Sequence, residues 1–568
     1  MFAAVWMLGL LFGASVAHGQ AGIRQLIDSP GETRPELPEL VEDDVDLERL
    51  GRVLPQVEIP LDDREAAALA GGEIEVRAFR FSGNSAFTDA ELAEVVADYV
   101  GPGRRYSALL EARDRVTRTY IDAGFVNSGA VLPQQGLEDG VVEIQVVEGE
   151  LSRIRVREGG RLRDRYIESR LLGDGSPLNV NTLRERLKWL KRDPRIDGVT
   201  AELTPGTERG ASLLTVSVDE AQAWWATAQA DNSTPASIGE FRGLVQAGHR
   251  NVTGWGDSFT LGYSVTEGLH DVEARLEIPL NRWETTFEAT GRYAETDVVE
   301  PALSELELST ETSVLGVRLR HPVLRSNRHE VRVFVGADRR TGRASIGGDT
   351  ALLADLVAGF GSTRVTAIRT GVEGWWRGRS RALSGRATLS FGVDLFGATN
   401  GTNNGQPDPE FVTGLFQLQG VEYLPWAGMR LHSRVDFQVS DGPLLGLEQF
   451  AAGGDASVRG FRTNLLVRDQ GAAASLELRI PLVELPPLDR LELGIFTDYA
   501  YGRNLGDTPT TEANSENLLS VGGGLHADVT RYVEAFLQYG YAIIEPDGNN
   551  GDALQDHGVH FRVRVRFP

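Results

Sequence analysis

The chain has 568 residues, a formal net charge of −24 at pH 7 and no cysteine. So acidic a chain argues against a nucleic-acid partner, because nucleic acids bind basic surfaces. A chain without cysteine has neither disulfide bonds nor thiolate metal sites, and the length predicts more than one domain.

The N-terminal residues have the pattern of an export signal. Residues 2–17 are apolar and small residues follow them, so we predict a signal peptide over residues 1–19, cut near Gly19 or Ala21. No later stretch supplies the roughly 20 consecutive apolar residues that a transmembrane helix needs. If the mature chain spans a membrane, it must therefore do so as a closed β-barrel.

Residues 20–72 are rich in Pro, Glu and Asp and show little periodicity. A segment of this composition buries too little apolar surface to order its backbone, so we predict a linker that is extended or disordered. Regular periodicity begins at residue 73, where we place the start of the first folded domain.

A capping signal marks the first helix of this domain. Residues 74–82 alternate apolar and polar side chains, as a strand does. Thr88 is followed three residues later by Glu91, which is the capping-box pattern. The sequence therefore predicts a strand and then a helix over residues 88–99.

A second helix and two strands complete the domain. Ser107 is predicted to cap the helix, which runs through Ala123 and ends at Gly124. Two strands follow, at 125–133 and 140–150. Residues 73–150 thus have the order βααββ.

Residues 151–221 repeat this order and predict a second domain of the same kind. Asp193-Pro194 ends its second helix, because proline cannot continue a helix. The predicted elements are a strand at 151–157, helices near 163–172 and 180–192, and strands at 196–204 and 211–219.

Residues 222–568 consist of segments of about ten residues with alternating hydrophobicity, separated by turn residues, which is typical of a transmembrane β-barrel. In the last segment, Val559, Phe561, Val563, Val565 and Phe567 form an apolar face suited to lipid. We predict sixteen antiparallel strands, beginning near 223, 242, 257, 271, 284, 309, 329, 364, 382, 411, 428, 470, 490, 517, 531 and 558.

The connections between these strands alternate in length. The long ones lie near 296–308, 341–363, 397–410, 441–469, 503–516 and 544–557, with short turns between them. Outer-membrane barrels pair long external loops with short periplasmic turns. We therefore predict that the long connections all lie outside the cell.

The loop 441–469 contains the segment GGDASVRGF, in which Arg459 lies among closely spaced glycines. A guanidinium in this small and apolar setting either faces water or has a partner elsewhere in the fold. In the later segment GIFTD, Gly494, Phe496 and Asp498 share one face of a predicted strand. An acidic residue in a lipid-suited strand must face a wet or protein-filled side.

These two motifs, VRGF at 458–461 followed by G-x-F-x-D at 494–498, resemble the paired signature of outer-membrane transporters with periplasmic POTRA domains. The order and spacing are most similar to the two-partner secretion transporters, also called haemolysin secretion/activation proteins. The segments FVNSGAVLP and DGVVEIQVVEGEL, within residues 125–151, are similar to the first POTRA domain of that family.

The resemblance implies a fold and a site. The fold is a sixteen-stranded antiparallel transmembrane barrel preceded by two α+β POTRA domains, over residues 73–150 and 151–221. The loop 441–469 folds back into the barrel, and its tip forms what we call the loop-to-barrel lock. The predicted lock residues are Arg459, Gly460, Phe461, Gly494, Phe496 and Asp498. The resemblance also leaves open a short plug helix within the linker.

The resemblance further implies that the protein carries one large secreted β-helical exoprotein, an adhesin or haemolysin, across the outer membrane of a Gram-negative bacterium. Outer-membrane lipids and the outer-membrane assembly machinery are the other expected partners. Two POTRA domains rather than five favour secretion over general barrel assembly. Neither a nucleotide nor a cofactor is expected.

An edge of the first POTRA domain is a candidate site for the client. An extended client can add to an exposed sheet edge through main-chain hydrogen bonds. The candidate residues are Phe125, Val126, Ala130, Val131 and Leu132. The alternative is that these residues only complete the sheet of their own domain.

Other functions have weaker support in the sequence. The chain has no G-x-S-x-G nucleophile motif, no phosphate-binding loop and no zinc-protease motif, so we predict that it is not an enzyme and has no metal site. Two alternatives remain: an insertase for barrels or surface lipoproteins, and a passive diffusion porin.

One further cluster is explained more simply as barrel wall than as an anion site. Arg562, Arg564 and Arg566 form the wet face of the last predicted strand. We expect luminal acids such as Glu477 and Asp436 to balance them.

Overall fold

The computed structural model describes Leu37 and most of residues 73–567. Within that range it leaves out 136–138, 158–159, 174, 176, 209, 302–303, 305–306, 348–361, 399–408, 483–487, 507–513 and 545–550. The predicted signal peptide lies outside the described residues, and so does the predicted linker apart from Leu37.

The described chain forms two compact units that divide between Ala221 and Gln222, with Thr253–Trp255 grouped with the first unit. The first unit is α+β, and the second is built of β-strands with short 3₁₀ turns. None of the helices within the described ranges is both long enough and apolar enough to cross a membrane.

The first domain has two helices packed on a three-stranded sheet. Its elements are β1 (Ile74–Val76), β2 (Ala78–Ser82), α1 (Asp89–Val95), β3 (Gly101–Arg104), α2 (Tyr106–Asp122), β4 (Gly129–Val131) and β5 (Val141–Val147). The sheet has the order β2, β5, β4, so β4 lies at an edge. Leu92 of α1 and Tyr120 of α2 are fully buried against Ile144 of β5, which forms the core.

The caps of the two helices differ from each other. The predicted capping box is confirmed: the Thr88 hydroxyl accepts the Glu91 amide, and the Glu91 carboxylate accepts the Thr88 amide. The predicted Ser107 cap is wrong, because the capping position is Arg105, two residues earlier, and the Arg105 side chain makes no cap hydrogen bond. Gly124 follows α2 with φ at +99°, a conformation that favours glycine.

The predicted strands of this domain are shorter in the structure. The strand predicted over 74–82 is interrupted at Arg77, whose amide donates to the Gly140 carbonyl at 2.7 Å. The strand predicted over 125–133 is limited to β4. The Ser128 amide donates to the Phe125 carbonyl at 3.0 Å and so closes a turn before β4 begins. The additional strand β3, with the sequence GPGR, pairs with β1; glycine and proline have low strand propensity, which is why the sequence did not predict it.

Glu148 joins the loop after β2 to helix α2. Its carboxylate accepts the backbone amides of Ser85 at 2.6 Å and Ala86 at 2.7 Å, and the Tyr120 hydroxyl at 2.8 Å. Burial alone would raise the pKa of Glu148, but these hydrogen bonds stabilise the charged form and hold its pKa below the ordinary value. Burial and the nearby carboxylate raise the pKa of Tyr120.

The second domain has the elements β6 (Glu150–Arg157), α3 (Asp164–Leu171), α4 (Val180–Lys191), β7 (Ile196–Pro205) and β8 (Ala211–Glu220). The sheet order is β6, β8, β7, so the ten-residue strand β7 lies at an edge. Leucines from both helices and from β8 form its core. These elements match the predicted order.

Hydrogen bonds join the two domains of this unit. The Asn127 amide group donates to the Gly210 carbonyl at 3.0 Å and to the Ser212 hydroxyl at 2.9 Å. From the other side, the Asn179 side chain caps α4 and donates to the Ala123 carbonyl at 2.9 Å. Each asparagine therefore belongs to one domain and donates a hydrogen bond to the other.

In the second unit, sixteen strands of the described chain close into an antiparallel barrel. They are β9 (Trp224–Asp231), β10 (Arg242–His249), β11 (Ser258–Val265), β12 (Leu269–Pro279), β13 (Thr286–Asp297), β14 (Leu308–Arg325), β15 (His329–Ile346), β16 (Ser362–Arg377), β17 (Arg381–Gly392), β18 (Val412–Tyr423), β19 (Arg430–Ser440), β22 (Gln470–Pro481), β23 (Arg490–Arg503), β24 (Ser515–Thr530), β25 (Val533–Ile544) and β26 (Val559–Phe567). Strand β26 pairs with β9 and closes the barrel. The predicted strand count is confirmed, and each strand begins within two residues of its predicted start.

The two ends of the barrel differ. Exposed tryptophans lie at the end with mostly short turns, as an aromatic belt does at a membrane interface; among them are Trp224, Trp283, Trp376 and Trp426. The connections at the other end are longer, as predicted, except for residues 266–268 between β11 and β12.

Residues 441–469 lie inside the barrel rather than outside it. They include a hairpin of β20 (Phe450–Ala452) and β21 (Leu466–Arg468). Phe461 and Leu466 are fully buried, in a cluster with the inward-facing Ala500 of β23. The loop thus has a small apolar core of its own, built against the wall.

Candidate functional site: the inward loop and its anchor

Arg459 lies at the tip of the inward loop and contacts Asp498 of β23. Its Nε donates to Asp498 Oδ2 at 2.7 Å, and its Nη2 donates to Asp498 Oδ1 at 2.8 Å. The Arg459 backbone amide also donates to Asp498 Oδ2, at 3.0 Å. Paired bonds of this kind are strong and directional, so Asp498 holds both the side chain and the backbone of the tip.

A second carboxylate completes the pocket around the guanidinium. Arg459 Nη1 donates to Glu477 Oε2 at 2.5 Å, and Nη2 donates to the Ser475 hydroxyl at 3.0 Å. Glu477 also accepts Arg479 Nε at 2.7 Å and lies 2.9 Å from His526 Nε2. The tip guanidinium is almost fully buried, and these partners offset the cost of burying it.

Phe496 forms the floor of this pocket. The centre of its ring lies 3.5 Å from the Arg459 guanidinium carbon, a cation–π contact. On the neighbouring strand its register partner is Gly522, where a β-carbon would lie 2.4 Å from the ring. The aromatic ring therefore fills the space that a glycine leaves on β24.

Two glycines allow the tip to touch the wall on the other side. Gly460 has φ at +91°, and its amide donates to His560 Nε2 on β26 at 3.1 Å. A β-carbon on Gly540 of β25 would lie only 2.6 Å from the Gly460 nitrogen. The tip therefore seats directly on the backbone of β25.

The other two predicted lock residues lie in the same region. Phe461 is fully buried in the apolar cluster of the loop. Gly494 lies next to Glu477: a β-carbon there would approach Glu477 Oε1 to 2.8 Å. All six predicted lock residues are thus gathered around the loop tip, whereas their role as a lock stays a prediction.

Sequence reasoning misplaced Glu477. We expected it to balance the arginines of the last strand, but it binds Arg459, and Arg562 pairs instead with Asp455 of the loop at 2.6 Å. Arg564 and Arg566 pair with Glu534 of β25. The alternation of the strand already showed that Glu477 faces inward. The arginine that it contacts, however, depends on the path of the loop.

His560 and Gly540 were also missed as parts of the site. Neither belongs to a motif, and neither is near the tip in sequence. A weak signal existed for Gly540, because it is a glycine on the inward face of an otherwise regular strand, where glycine often marks a close backbone approach.

A cavity of about 440 Å³ lies in the lumen under the tip. Side chains of both positive and negative charge line this cavity, among them Arg430, Glu492 and Glu534. Arg459 and Glu477 form part of its boundary, so the anchored tip limits this cavity on one side.

The candidate client-binding residues of the first domain mostly serve the domain itself. Phe125 and Leu132 pack against its apolar core, Ala130 is buried in it, and Val126 packs against the core of the second domain. Val131 is half-buried on the edge strand β4. The Ala130 amide donates to the Thr117 hydroxyl of α2 at 2.9 Å, so that edge is partly covered.

A closed sixteen-stranded barrel, a POTRA-type α+β region and a loop anchored inside the lumen define the class of outer-membrane POTRA-barrel transporters. Residues 210–527 match the family model of the haemolysin secretion/activation proteins ShlB/FhaC/HecB, and residues 74–149 match the ShlB-type POTRA domain. The first match covers more than half of the chain, and the chain belongs to this family. It is an outer-membrane transporter of two-partner secretion, a family whose POTRA domains are periplasmic and whose members transport partner exoproteins.

Relatives agree with this assignment, and solved structures share the fold. The heme/hemopexin transporter protein HuxB of Haemophilus influenzae (strain 86-028NP) is 24% identical over 82% of each chain. The outer membrane transporter CdiB of Escherichia coli O6:K15:H31 is 25% identical over 86% of this chain and 81% of that protein. The structure of CdiB from Escherichia coli has a TM-score of 0.67 at 21% identity and covers 98% of both chains. BamA from Haemophilus ducreyi lacking POTRA domains 1–3 has a TM-score of 0.54 at 15% identity, covers 87% of this chain and all of that one, and shares the fold.

Proposed function

We propose that this protein captures one unfolded exoprotein in the periplasm, through its POTRA domains, and passes it through the barrel lumen to the cell surface. The client is a large secreted protein of adhesin or haemolysin type with a β-helical shaft. HuxB is named a heme/hemopexin transporter, and ShlB of Serratia marcescens a hemolysin transporter. Those names support a secreted protein as the client class.

The anchored loop carries this proposal. A loop of 29 residues, 441–469, lies in the lumen and is held there by Arg459, Asp498 and Glu477. A client chain cannot share that space with the seated loop. The tip must leave its pocket, or move aside, each time a client passes.

The POTRA domains supply the capture surface in this proposal. Strand β4 is short, and Thr117 already bonds to its Ala130 amide, so a client that adds at this edge must displace that hydroxyl. Half-buried Val131 and Leu132 would then contact the client side chains. A photo-crosslinker at Val131 should capture the client, whereas one at the exposed Glu111 of α2 should not; equal capture at both positions would contradict a role for this edge.

The function is tested by the surface delivery of the large secreted protein encoded beside this one. Cells that lack the transporter should retain that client in the periplasm or degrade it, while other outer-membrane proteins stay at normal levels. Normal client delivery together with a loss of other barrels or surface lipoproteins would contradict secretion and favour an insertase. If neither were affected, a passive porin would be the better description.

A further inference from the structure

The approach segment of the inward loop, residues 444–448, has an anchor of its own. Glu448 is almost fully buried. Arg369 Nη2 donates to both of its carboxylate oxygens, to Oε1 at 2.8 Å and to Oε2 at 3.0 Å. Arg340 Nη1 lies 3.3 Å from Glu448 and also donates to the Leu447 carbonyl at 2.8 Å. Asp338 bridges the two arginines, at 2.9 Å from Arg340 Nε and 2.5 Å from Arg369 Nε.

Apolar contacts support this anchor. The three leucines 444, 445 and 447 are buried in one cluster with Val365 and Ala367, which are fully buried and face inward from β16. The backbone carbonyl of Glu448 accepts Gln438 Nε2 of β19 at 2.9 Å. The approach segment is thus bound to the wall by charge, by packing and by its backbone.

The two anchors share no residue. Asp338, Arg340 and Arg369 belong to β15 and β16, whereas the side chain of Arg459 binds β22 and β23. Strands β17 and β18 lie between the two parts of the wall. Strand β19 contacts both segments, because Gln438 donates to the Glu448 carbonyl and Arg434 donates to the Ser457 carbonyl at 3.0 Å. The apolar clusters under the two anchors are also separate.

We propose that Glu448 holds the approach segment to the wall independently of the tip, so that the loop opens in two parts. When Arg459 leaves its pocket, residues 444–448 stay bound to β15 and β16 and act as a fixed hinge. The lumen next to β23 is then cleared, while the lumen next to β16 stays covered. This inference rests on the proposed function only in treating the loop as the element that clears the lumen.

The sequence has no cysteine, so a single introduced cysteine is the only thiol that a labelling reagent can reach. Val365→Cys reports on the wall under the approach segment, and Ala500→Cys reports on the wall under the hairpin. Each reporter is combined with Glu448→Gln or with Arg459→Ala in the purified full-length protein. The reaction with a small water-soluble maleimide is then timed, and retained heat-modifiable mobility shows that the barrel has folded.

We expect Glu448→Gln to speed the labelling of Val365→Cys by roughly tenfold or more and to leave Ala500→Cys unchanged, because removing one partner of a buried ion pair destabilises the site by more than the free energy of a tenfold change. Arg459→Ala should do the reverse. The matched control is Glu373→Gln. Glu373 is also a buried luminal carboxylate, and it pairs at 2.6 Å with Arg386, which lies on a barrel strand and not on the loop.

Two outcomes would overturn the inference. If either variant exposed both reporters to the same extent, the loop would move as one body. If Glu448→Gln exposed Val365→Cys no more than Glu373→Gln does, packing alone would hold the segment. No client is present in this experiment, so a failure of the secretion proposal would be seen separately, in the surface-delivery experiment.

Discussion

At the scale of single residues, the site is one cation enclosed by complementary groups. Asp498 and Glu477 supply charge, Phe496 supplies a ring face at 3.5 Å, and Gly540 supplies space. The effect of this arrangement is to set the free energy with which the tip stays seated.

Asp498→Asn should release the tip. The amide has the size of the carboxylate, but it removes one of the negative charges that pair with Arg459. Breaking a buried ion pair costs about 3–5 kcal/mol. We expect more frequent and larger open-channel currents in planar bilayers. Glu492→Gln on the same strand is the control, because Glu492 binds Arg430 of the wall; equal currents in the two variants would mean that Asp498 does not hold the channel closed.

Gly540→Ala should release the tip by a different route, with no change of charge. The new β-carbon would overlap the Gly460 backbone, which has no flexible end that could move away. The same rise in channel current is expected. Gly291→Ala is a suitable control, since the nearest atom to its β-carbon is a leucine methyl at 3.7 Å; unchanged currents in Gly540→Ala would mean that the tip tolerates a different seat.

At the scale of elements, the first POTRA domain depends on a single carboxylate between two elements. Glu148 follows β5 in sequence yet binds the loop that precedes α1 and the Tyr120 hydroxyl of α2. Because the pKa of Glu148 in the folded protein lies below its ordinary value of 4.5, the carboxylate stabilises the fold above that pH. This contribution is lost as the pH falls through the folded pKa.

Glu148→Gln should therefore weaken this domain at neutral pH by about 1 kcal/mol, a value kept small because the group is partly exposed. Amide hydrogen exchange of α2 in the full-length chain measures the change. As the pH falls below the ordinary value of 4.5 and through the lowered pKa of the folded protein, the difference from the native protein should shrink, because the native carboxylate loses its charge. Glu150→Gln, at the exposed start of β6, should have little effect at either pH; a pH-independent defect in Glu148→Gln would contradict the role of charge.

At the scale of the whole molecule, the lumen contains both the inward loop and a cavity of about 440 Å³ lined by charged side chains. The barrel wall itself is a closed hydrogen-bonded cylinder, in which β26 pairs with β9. A route through the lumen can therefore be opened by moving the loop while the wall stays closed.

Client passage should be blocked by a covalent link between the tip and the wall. Cysteines at Arg459 and Asp498, joined by a short cleavable dithiol-reactive linker, hold the tip in place without its ion pair. Surface delivery of the client should stop on linking and resume after cleavage in the same cells. Delivery that continues through the linked protein would show that the client bypasses the seated tip.

The sequence by itself determined the class of fold, the sixteen strands, the two βααββ units and the lock motif. These features depend on local periodicity, turn residues and short motifs, which are encoded within a few residues of each other. Only the tertiary structure decided that Glu477 serves Arg459 rather than the last strand, that Gly540 and His560 contact the tip, and that Glu448 binds Arg369. Each of these contacts joins residues that are far apart in sequence, and the path of one 29-residue loop through the lumen brings them together.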